Sequence, residues 1–303
     1  MEIIPVIPRG YCKGVTQAIA LARKTARENP GVPITMLGMI VHNRYVVDAL
    51  QLDHIRCVEQ AGKTRLELLD EVNEGIVIFT AHGISEEVAE KARQKSLTCV
   101  DASCSDVKET QRLVRQAIDE GADVLYIGKR NHPEAEAVLA ISPRVHPVYD
   151  QDSLAALSLD NSKILVTNQT TMSVLEIGRL MDQIRVRYPH ARFEKEICNA
   201  TRIRQEAIQK LENVDLLIVV GDPQSNNSNK LKDIAIQSGI PEVLLIETVR
   251  QLNPQDYLGR ERIAVTSGAS TPTYLTQQVI GYLNEVAQGN TPEYPDIELD
   301  KLL

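Results

Sequence analysis

The chain has no tryptophan and only two phenylalanines among its 303 residues. Its core must therefore come from Ile, Val, Leu and Ala, the residues of parallel sheets buried beneath helices. No run approaches the roughly 18 uninterrupted apolar residues of a membrane-spanning helix. The stretch from Met1 to Cys12 lacks the basic start and apolar centre of a secretory signal, so a cytoplasmic protein without a membrane partner is expected. Cationic excess is missing too. With 33 Lys and Arg against 41 Asp and Glu, the formal charge is −8, which argues against a nonspecific nucleic-acid binder. It leaves room for an anionic ligand, because helix N-termini bind phosphate locally.

The five cysteines are odd in number and scattered, which is not a disulfide framework. No Cys-x-x-Cys pair occurs, so the knuckle of a structural zinc site and the close spacing of a plain electron carrier are both absent. Neither Gly-x-x-x-x-Gly-Lys-Ser/Thr nor a convincing Gly-x-Gly-x-x-Gly after the first strand is present, and a nucleotide site of those kinds is not expected.

What the chain does have is a repeat. Cys12, Cys104 and Cys198 lie 92 and 94 residues apart, and each is followed by a helical pattern. Val15, Ala18, Ile19 and Ala22 have the helical apolar spacing; Val107–Val114–Ile118 and Ile203–Ala207–Leu211 follow it less cleanly. A strand ending in a polar loop comes next in each unit, reaching His42, His132 and Ser225 at 30, 28 and 27 residues beyond the cysteine. A short strand follows around Ile55–Val58, Val145–Val148 and Val243–Ile246. A fourth strand then runs into His82, the Gln169-Thr170-Thr171 turn, and Ser270. Such alternation reads as βαβ units with parallel sheets. Three matched landmarks in three units point to one α/β unit used three times. The expected architecture is α/β: three similar small domains, with mainly parallel sheets, in a pseudo-threefold trefoil around a central cavity. The expected bounds are 1–103 (with the N-terminal strand and Cys12), 104–197 and 198–285, with 286–303 a polar C-terminal tail.

Every landmark follows a strand, where open parallel sheets bind ligands and helix N-termini point. Taken singly, each cysteine reads as a small buried hydrophobe; at equivalent repeat positions, three of them read as a metal site. Three thiolates could hold zinc or a cluster. They satisfy three irons of a cubane and leave the fourth open to substrate. Cys57 and Cys99 lack repeat partners and are assigned to the core. His42, His82, His132, Ser225, Asn226, Asn227 and Ser270 offer N–H and O–H donors suited to phosphate oxygens, although singly they would pass for surface histidines and a Ser/Asn turn. His54, His146 and His190 lack equivalent placement and are taken as surface or structural. Glu134, near a diphosphate, would have its pKa raised and could donate a proton; alone it reads as a first-turn Glu. Thr170 and Thr171 could orient that proton, or cap a helix starting near Ser173.

These motifs resemble the 4-hydroxy-3-methylbut-2-enyl diphosphate reductases of the methylerythritol phosphate route to isoprenoids. They run in order from Pro8-Arg-Gly-Tyr-Cys12-Lys-Gly-Val through Gly38-Met-Ile-Val-His42-Asn, Thr80-Ala-His82-Gly, Asp101-Ala-Ser-Cys104 and Asn131-His132-Pro-Glu134. Then come Gln169-Thr170-Thr171, Glu196-Ile-Cys198-Asn-Ala-Thr, Ser225-Asn-Asn-Ser-Asn229 and Thr266-Ser-Gly-Ala-Ser270-Thr-Pro. The resemblance covers nearly the whole chain. It implies a [4Fe–4S] cluster on Cys12, Cys104 and Cys198. It implies a diphosphate held by His42, His82, His132, Ser225, Asn226, Asn227 and Ser270. By the same resemblance Thr170, with Thr171 beside it, would contact the substrate hydroxyl, and Glu134 would deliver protons, with His132 beside it in the catalytic set. The implied reaction is two-electron reductive loss of the hydroxyl, giving isopentenyl and dimethylallyl diphosphates. Ferredoxin or flavodoxin is the implied electron donor. The chain departs from the common family pattern at Ser103 and Ser105 (commonly Thr and Pro), at Asn226 (commonly Ser) and at Ser267 (commonly Ala). Two other classes compete with this reading: an iron–sulfur sensor or carrier without a substrate pocket, and a zinc phosphohydrolase using the same thiols and histidines.

Overall fold

A computed structural model describes residues 1–194 and 197–303. Glu196, quoted above in the third cysteine motif, lies outside the described residues. Strand β1 (Glu2–Pro5) leads to Cys12 and helix α1 (Lys13–Glu28). Then follow β2 (Ile34–Leu37), α2 (Arg44–Gln51), β3 (Ile55–Val58), α3 (Arg65–Leu68), β4 (Ile76–Phe79), α4 (Glu86–Gln94) and β5 (Thr98–Asp101). After Cys104 come α5 (Ser105–Asp119), β6 (Asp123–Ile127), α6 (Pro133–Leu139), β7 (Val145–Val148), α7 (Gln151–Ala155), β8 (Ile164–Asn168), α8 (Val174–Arg187) and β9 (Arg192–Phe193). After Cys198 come α9 (Asn199–Gln209), β10 (Leu216–Val220), α10 (Asn226–Gln237), β11 (Glu242–Ile246), α11 (Pro254–Tyr257), β12 (Arg262–Ser267) and α12 (Thr273–Ala287). A 3-10 turn, Leu299–Leu302, closes the chain. Among the described residues, no helix is long and apolar enough to cross a membrane.

Among the described residues, the strands form three four-stranded sheets, ordered β3-β2-β4-β5, β7-β6-β8-β9 and β11-β10-β12-β1. Every pairing is parallel. The three α/β units expected from the repeat are therefore present. Central strands such as β2, β4, β8 and β10 are buried along their whole length, which explains their unbroken Ile/Val/Leu runs. The edge strands β1, β5 and β9 are short and half exposed. Each of these edges leads to one of the three cysteines.

The N-terminal strand differs from the expected bounds. It pairs with β12, from Glu2 against Arg262 to Pro5 against Val265, rather than with β2. The first two sheets take their last strand from the end of their own segment. In the third, the residues after β12 form α12 and a 3-10 turn, and the N-terminal strand fills that edge.

The chain divides into two compact units. One comprises Met1–Thr16, Val41–Leu52 and Asn199–Leu303; the other comprises Gln17–Ile40 and Asp53–Cys198. The first holds the third sheet. Its core runs from Ile218, Val220 and Val265 on the central strands to Leu275, Val279 and Leu283 on α12. The second holds the other two sheets, with one core around Leu37, Val77 and Phe79 and others around Leu125, Ile127 and Val166, and around Val124 and Tyr126. The tail is more than polar decoration: Leu302 is buried in the first unit's core with Ala49 of α2.

Gly75 opens β4 in the left-handed region, at φ 81°, and a Cβ there would lie 2.1 Å from the Pro33 carbonyl oxygen. That oxygen also accepts the Ile76 N–H at 2.9 Å, so it cannot retreat without unzipping β2 from β4. Gly75→Ala should lower unfolding free energy by about 2 kcal/mol or more. Urea denaturation compared with wild type measures this.

Candidate functional site

All three repeat cysteines stand immediately before a helix: Cys12 before α1, Cys104 as the N-cap of α5, and Cys198 before α9. Each also donates its backbone N–H to a carbonyl in the loop after β12, β4 or β8, the strand that neighbours its edge strand. Cys12 bonds to Ala269 at 3.0 Å, Cys104 to Ala81 at 3.0 Å and Cys198 to Thr170 at 3.1 Å. The acceptors directly precede Ser270, His82 and Thr171, so these three are the equivalent residues. The sequence placed the whole Gln169-Thr170-Thr171 turn at this position without saying which residue of it matches the other two.

All three thiols are half-buried and outside disulfides. The positive end of a helix at each one suits the negative charge of a metal-bound thiolate. Cys57 is different: it lies within β3, and burial pushes its thiol up to about 12. Cys99, in β5, packs against a hydrophobic core. The division between ligand candidates and packing cysteines follows these environments.

In the unit containing the first two sheets, Glu134 sits on the first turn of α6 and is 1% exposed. Its Oε1 accepts the Thr170 N–H at 2.8 Å and its Oε2 accepts the Thr170 hydroxyl at 2.8 Å. An N–H can only donate, whereas a hydroxyl can also accept. Oε2 is therefore the oxygen able to carry a proton while keeping its partner. His132 caps the same helix, its Nδ1 accepting the Glu134 N–H at 3.2 Å. An accepting Nδ1 puts the ring hydrogen on Nε2, the form that donates to an anionic oxygen. The His82 ring meets His132 edge-to-face at 5.6 Å between centroids, and its Nδ1 lies 3.3 Å from the Thr80 hydroxyl. Thr171 accepts from the Gln169 side chain at 3.0 Å.

In the other unit, Ser225 caps α10 by accepting the Ser228 N–H at 3.3 Å. The Ser270 hydroxyl lies 3.5 Å from that of Ser225 and donates to the His42 carbonyl at 3.1 Å. His42, Ser225 and Ser270 are thus brought together. Asn226 and Asn227 form the first turn of α10, both buried. The Asn227 amide has neither its nitrogen nor its oxygen bonded within the protein. A buried amide without partners is costly, and its Nδ2, near a helix N-terminus, is a donor of the kind that suits an anionic oxygen.

The Cys12 loop is held from several sides. Gly10, at φ 76°, comes so close to Thr273 that a Cβ would lie 2.2 Å from its Oγ1. The Gly10 N–H donates to Ser267 Oγ at 2.8 Å, and its carbonyl accepts from Arg204 at 2.7 Å. Ser267 has a use here that the sequence did not disclose. Arg204, Thr80 and Tyr126 were also missed. The Tyr126 hydroxyl is fully buried, and burial together with the Glu134 charge pushes it well above its ordinary range. Its only signal was an aromatic residue in a buried strand. Among the histidines set aside, His146 pairs with Asp123 at 2.7 Å and His190 lies 3.3 Å from the Asn161 carbonyl.

Residues 3–284 match the LytB protein family. The chain belongs to the LytB family. Similar curated relatives include a 4-hydroxy-3-methylbut-2-enyl diphosphate reductase from Brevibacillus brevis, 47% identical over 96% of this chain and 94% of the relative. Another, from Bacillus cereus, is 46% identical over 94% of this chain and 90% of the relative. These LytB relatives are oxidoreductases by name. Among solved structures, the E-1-hydroxy-2-methyl-but-2-enyl-4-diphosphate reductase of Plasmodium falciparum aligns with a TM-score of 0.88 at 30% identity, covering 99% of this chain and 95% of that one. A second structure, an (E)-4-hydroxy-3-methyl-but-2-enyl diphosphate reductase described as the terminal enzyme of the non-mevalonate pathway, aligns at 0.64 and 29% identity. It covers 94% of this chain and 100% of its own.

Asn227→Leu removes a buried amide that makes no bond within the protein. It should leave the melting temperature of the ligand-free protein unchanged or raise it. The stabilisation by added inorganic pyrophosphate should fall at least about tenfold in apparent affinity, roughly 1.4 kcal/mol. Melting curves of both proteins over a pyrophosphate series check both halves.

Proposed function

We propose that this LytB-family chain reduces 4-hydroxy-3-methylbut-2-enyl diphosphate, with Cys12, Cys104 and Cys198 holding a [4Fe–4S] cluster. The observation that carries this is one hydrogen-bonded chain. Cys198 bonds to the carbonyl of Thr170, and Thr170 donates both its N–H and its hydroxyl to Glu134. A candidate metal ligand and a buried carboxyl are fixed to the same residue. An electron carrier has no use for that carboxyl, and a zinc hydrolase would not need three equivalent thiols without a histidine among them.

The donor set fits the group: three half-buried thiols, each at a helix start, with the backbone N–H of each already bonded. When bound, such a cluster supplies one-electron transfer and an iron open to a fourth ligand. The net change is loss of the substrate hydroxyl as water, with uptake of two electrons and two protons. Reduced ferredoxin or flavodoxin, as a one-electron donor, suits this need.

The protein's own groups bind, orient and protonate. Ser225, Asn226, Asn227 and Ser270 present hydroxyl and amide donors at the start of α10, and His42, His82 and His132 add imidazole donors to the diphosphate. Thr170 and Thr171 hold the hydroxyl end of the substrate. Glu134 carries the proton on Oε2, and the Thr170 hydroxyl, bonded to that oxygen, passes it on by giving its own hydrogen and accepting another. A neighbouring diphosphate favours the protonated acid by like-charge repulsion. His132 sets the entry angle of α6, and with it the position of Glu134.

Anaerobic protein should be brown and contain iron and sulfide, and should turn over the hydroxylated allylic diphosphate with a reduced one-electron donor. Colourless protein containing zinc would sink this reading. Glu134→Gln should lower kcat by about 10²–10⁴-fold with the cluster intact, as expected for loss of a positioned acid. Thr170→Val keeps the N–H bond to Oε1 and removes only the hydroxyl, so it should lower kcat while iron content stays at the wild-type level. Single-turnover product formation, read beside the iron count, separates proton delivery from loss of the cluster.

A further inference from the structure

The family match ends at residue 284, yet the segment beyond it is pinned along its length. Tyr294 stacks on Tyr282 at 5.1 Å and donates to the Leu252 carbonyl at 2.5 Å. The Asp296 carboxylate accepts from Arg250 at 2.5 Å, and its carbonyl accepts from Gln278 at 2.8 Å. From there the chain runs into the 3-10 turn Leu299–Leu302, where Leu302 is 2% exposed. This turn packs on α2, the helix that starts two residues after His42. The carbonyl of Leu302 accepts the Tyr11 hydroxyl at 2.6 Å.

The geometry points to a C-terminal strap whose function is to hold the Cys12 loop through Tyr11, making Tyr11 a positioning residue for the cysteine beside it. This rests on the reading of Cys12 as a metal ligand. Three other holds act on Gly10, and a fourth acts on the Cys12 N–H. These fix the backbone up to and at the thiol. The Tyr11 side chain is the lever between them, and the strap provides its far end. Because the same turn packs on α2, it also braces the helix that follows His42. A tail with merely structural duties would need Leu302 in the core, but not a hydroxyl bond placed one residue from a thiol.

Selective alkylation of the metal-free protein tests this, with Cys12, Cys104 and Cys198 followed separately by peptide mass spectrometry under iodoacetamide. Tyr11→Phe deletes only the bond to Leu302. It should speed modification of Cys12 roughly fivefold relative to Cys104 and Cys198 in the same molecule, the effect of losing one hydrogen bond on local opening. Removing residues 299–303 should raise that ratio further. An unchanged Cys12 to Cys104 ratio in Tyr11→Phe overturns the strap, as does equal acceleration at all three thiols, which would report general loosening. If the truncated chain does not fold, the ratio in Tyr11→Phe alone decides. An iron and sulfide count on wild type runs alongside. Wild type without iron defeats the cluster reading and leaves the alkylation ratio to judge the strap by itself.

Discussion

The bond from each cysteine's N–H to a carbonyl in the loop beyond the strand that neighbours its edge strand is the constraint on which the rest of the structure depends. It occurs three times, at Ala269, Ala81 and Thr170. At Cys104 it is the next rung after the bond from the Ala102 N–H to Phe79, whereas at Cys12 and Cys198 it lies farther beyond the last paired residue. A backbone N–H leaving an edge strand needs a partner. Here that partner lies in the loop that bears a candidate donor residue, so this bond sets cysteine and donor side by side. The helix that begins at each cysteine follows from the same turn. Three short, half-exposed edges thus achieve what would otherwise require long-range side-chain contacts. The pairing of β1 with β12 brings the N-terminal segment to the same side of the third sheet, where Cys12 meets Ala269.

Electrostatics here is local. The net charge of −8 is the wrong sign for an anionic ligand, and none of the residues proposed to bind one is Lys or Arg. Helix N-termini and oriented amides concentrate positive potential within a turn of the ligand, where a distant surface charge is screened. The Asn227 amide, buried without a partner in the protein, shows the other side of this economy. A buried amide left unbonded costs about 1–3 kcal/mol. Glu134 carries no such burden, because Thr170 satisfies both its oxygens.

Much of this could be read in the sequence, because repetition made weak signals strong. No single loop histidine or cysteine was informative, but their recurrence at matched distances was. The central strands were legible for a simpler reason: burial on both faces leaves unbroken apolar runs. The edges β5 and β9 were not, since Thr98–Asp101 and Arg192–Phe193 are too short and too polar to show any pattern. Nor could spacing distinguish Thr170 from Thr171, because loops of different length blur alignment by a residue or more. Arg204 and Ser267 act on the backbone of Gly10, which only folding brings close, and Thr80 acts on the His82 ring two residues on. The pairing of β1 with β12 joins the two ends of the chain, and no local propensity encodes it.

The Cys104 corner shows how a departure from family pattern is absorbed. Where relatives commonly have Pro, Ser105 opens α5. Pro is favoured at that first helical position because its missing N–H would have no partner there anyway. Ser keeps an N–H that solvent can satisfy and loses only the preset φ. The turn is braced from the other side. Asp101 accepts the Ser103 N–H at 2.9 Å and pairs with Lys108 at 2.7 Å, tying the end of β5 to the first turn of α5 across the cysteine. Those bonds hold the Asp101 carboxyl below its ordinary range despite partial burial. The brace is therefore intact throughout the neutral pH range and weakens only in acid, as protonation of Asp101 removes the charge that Lys108 pairs with. The charged turn thus braces Cys104 on its N-terminal side, and the bond from its N–H to Ala81 fixes it against the sheet.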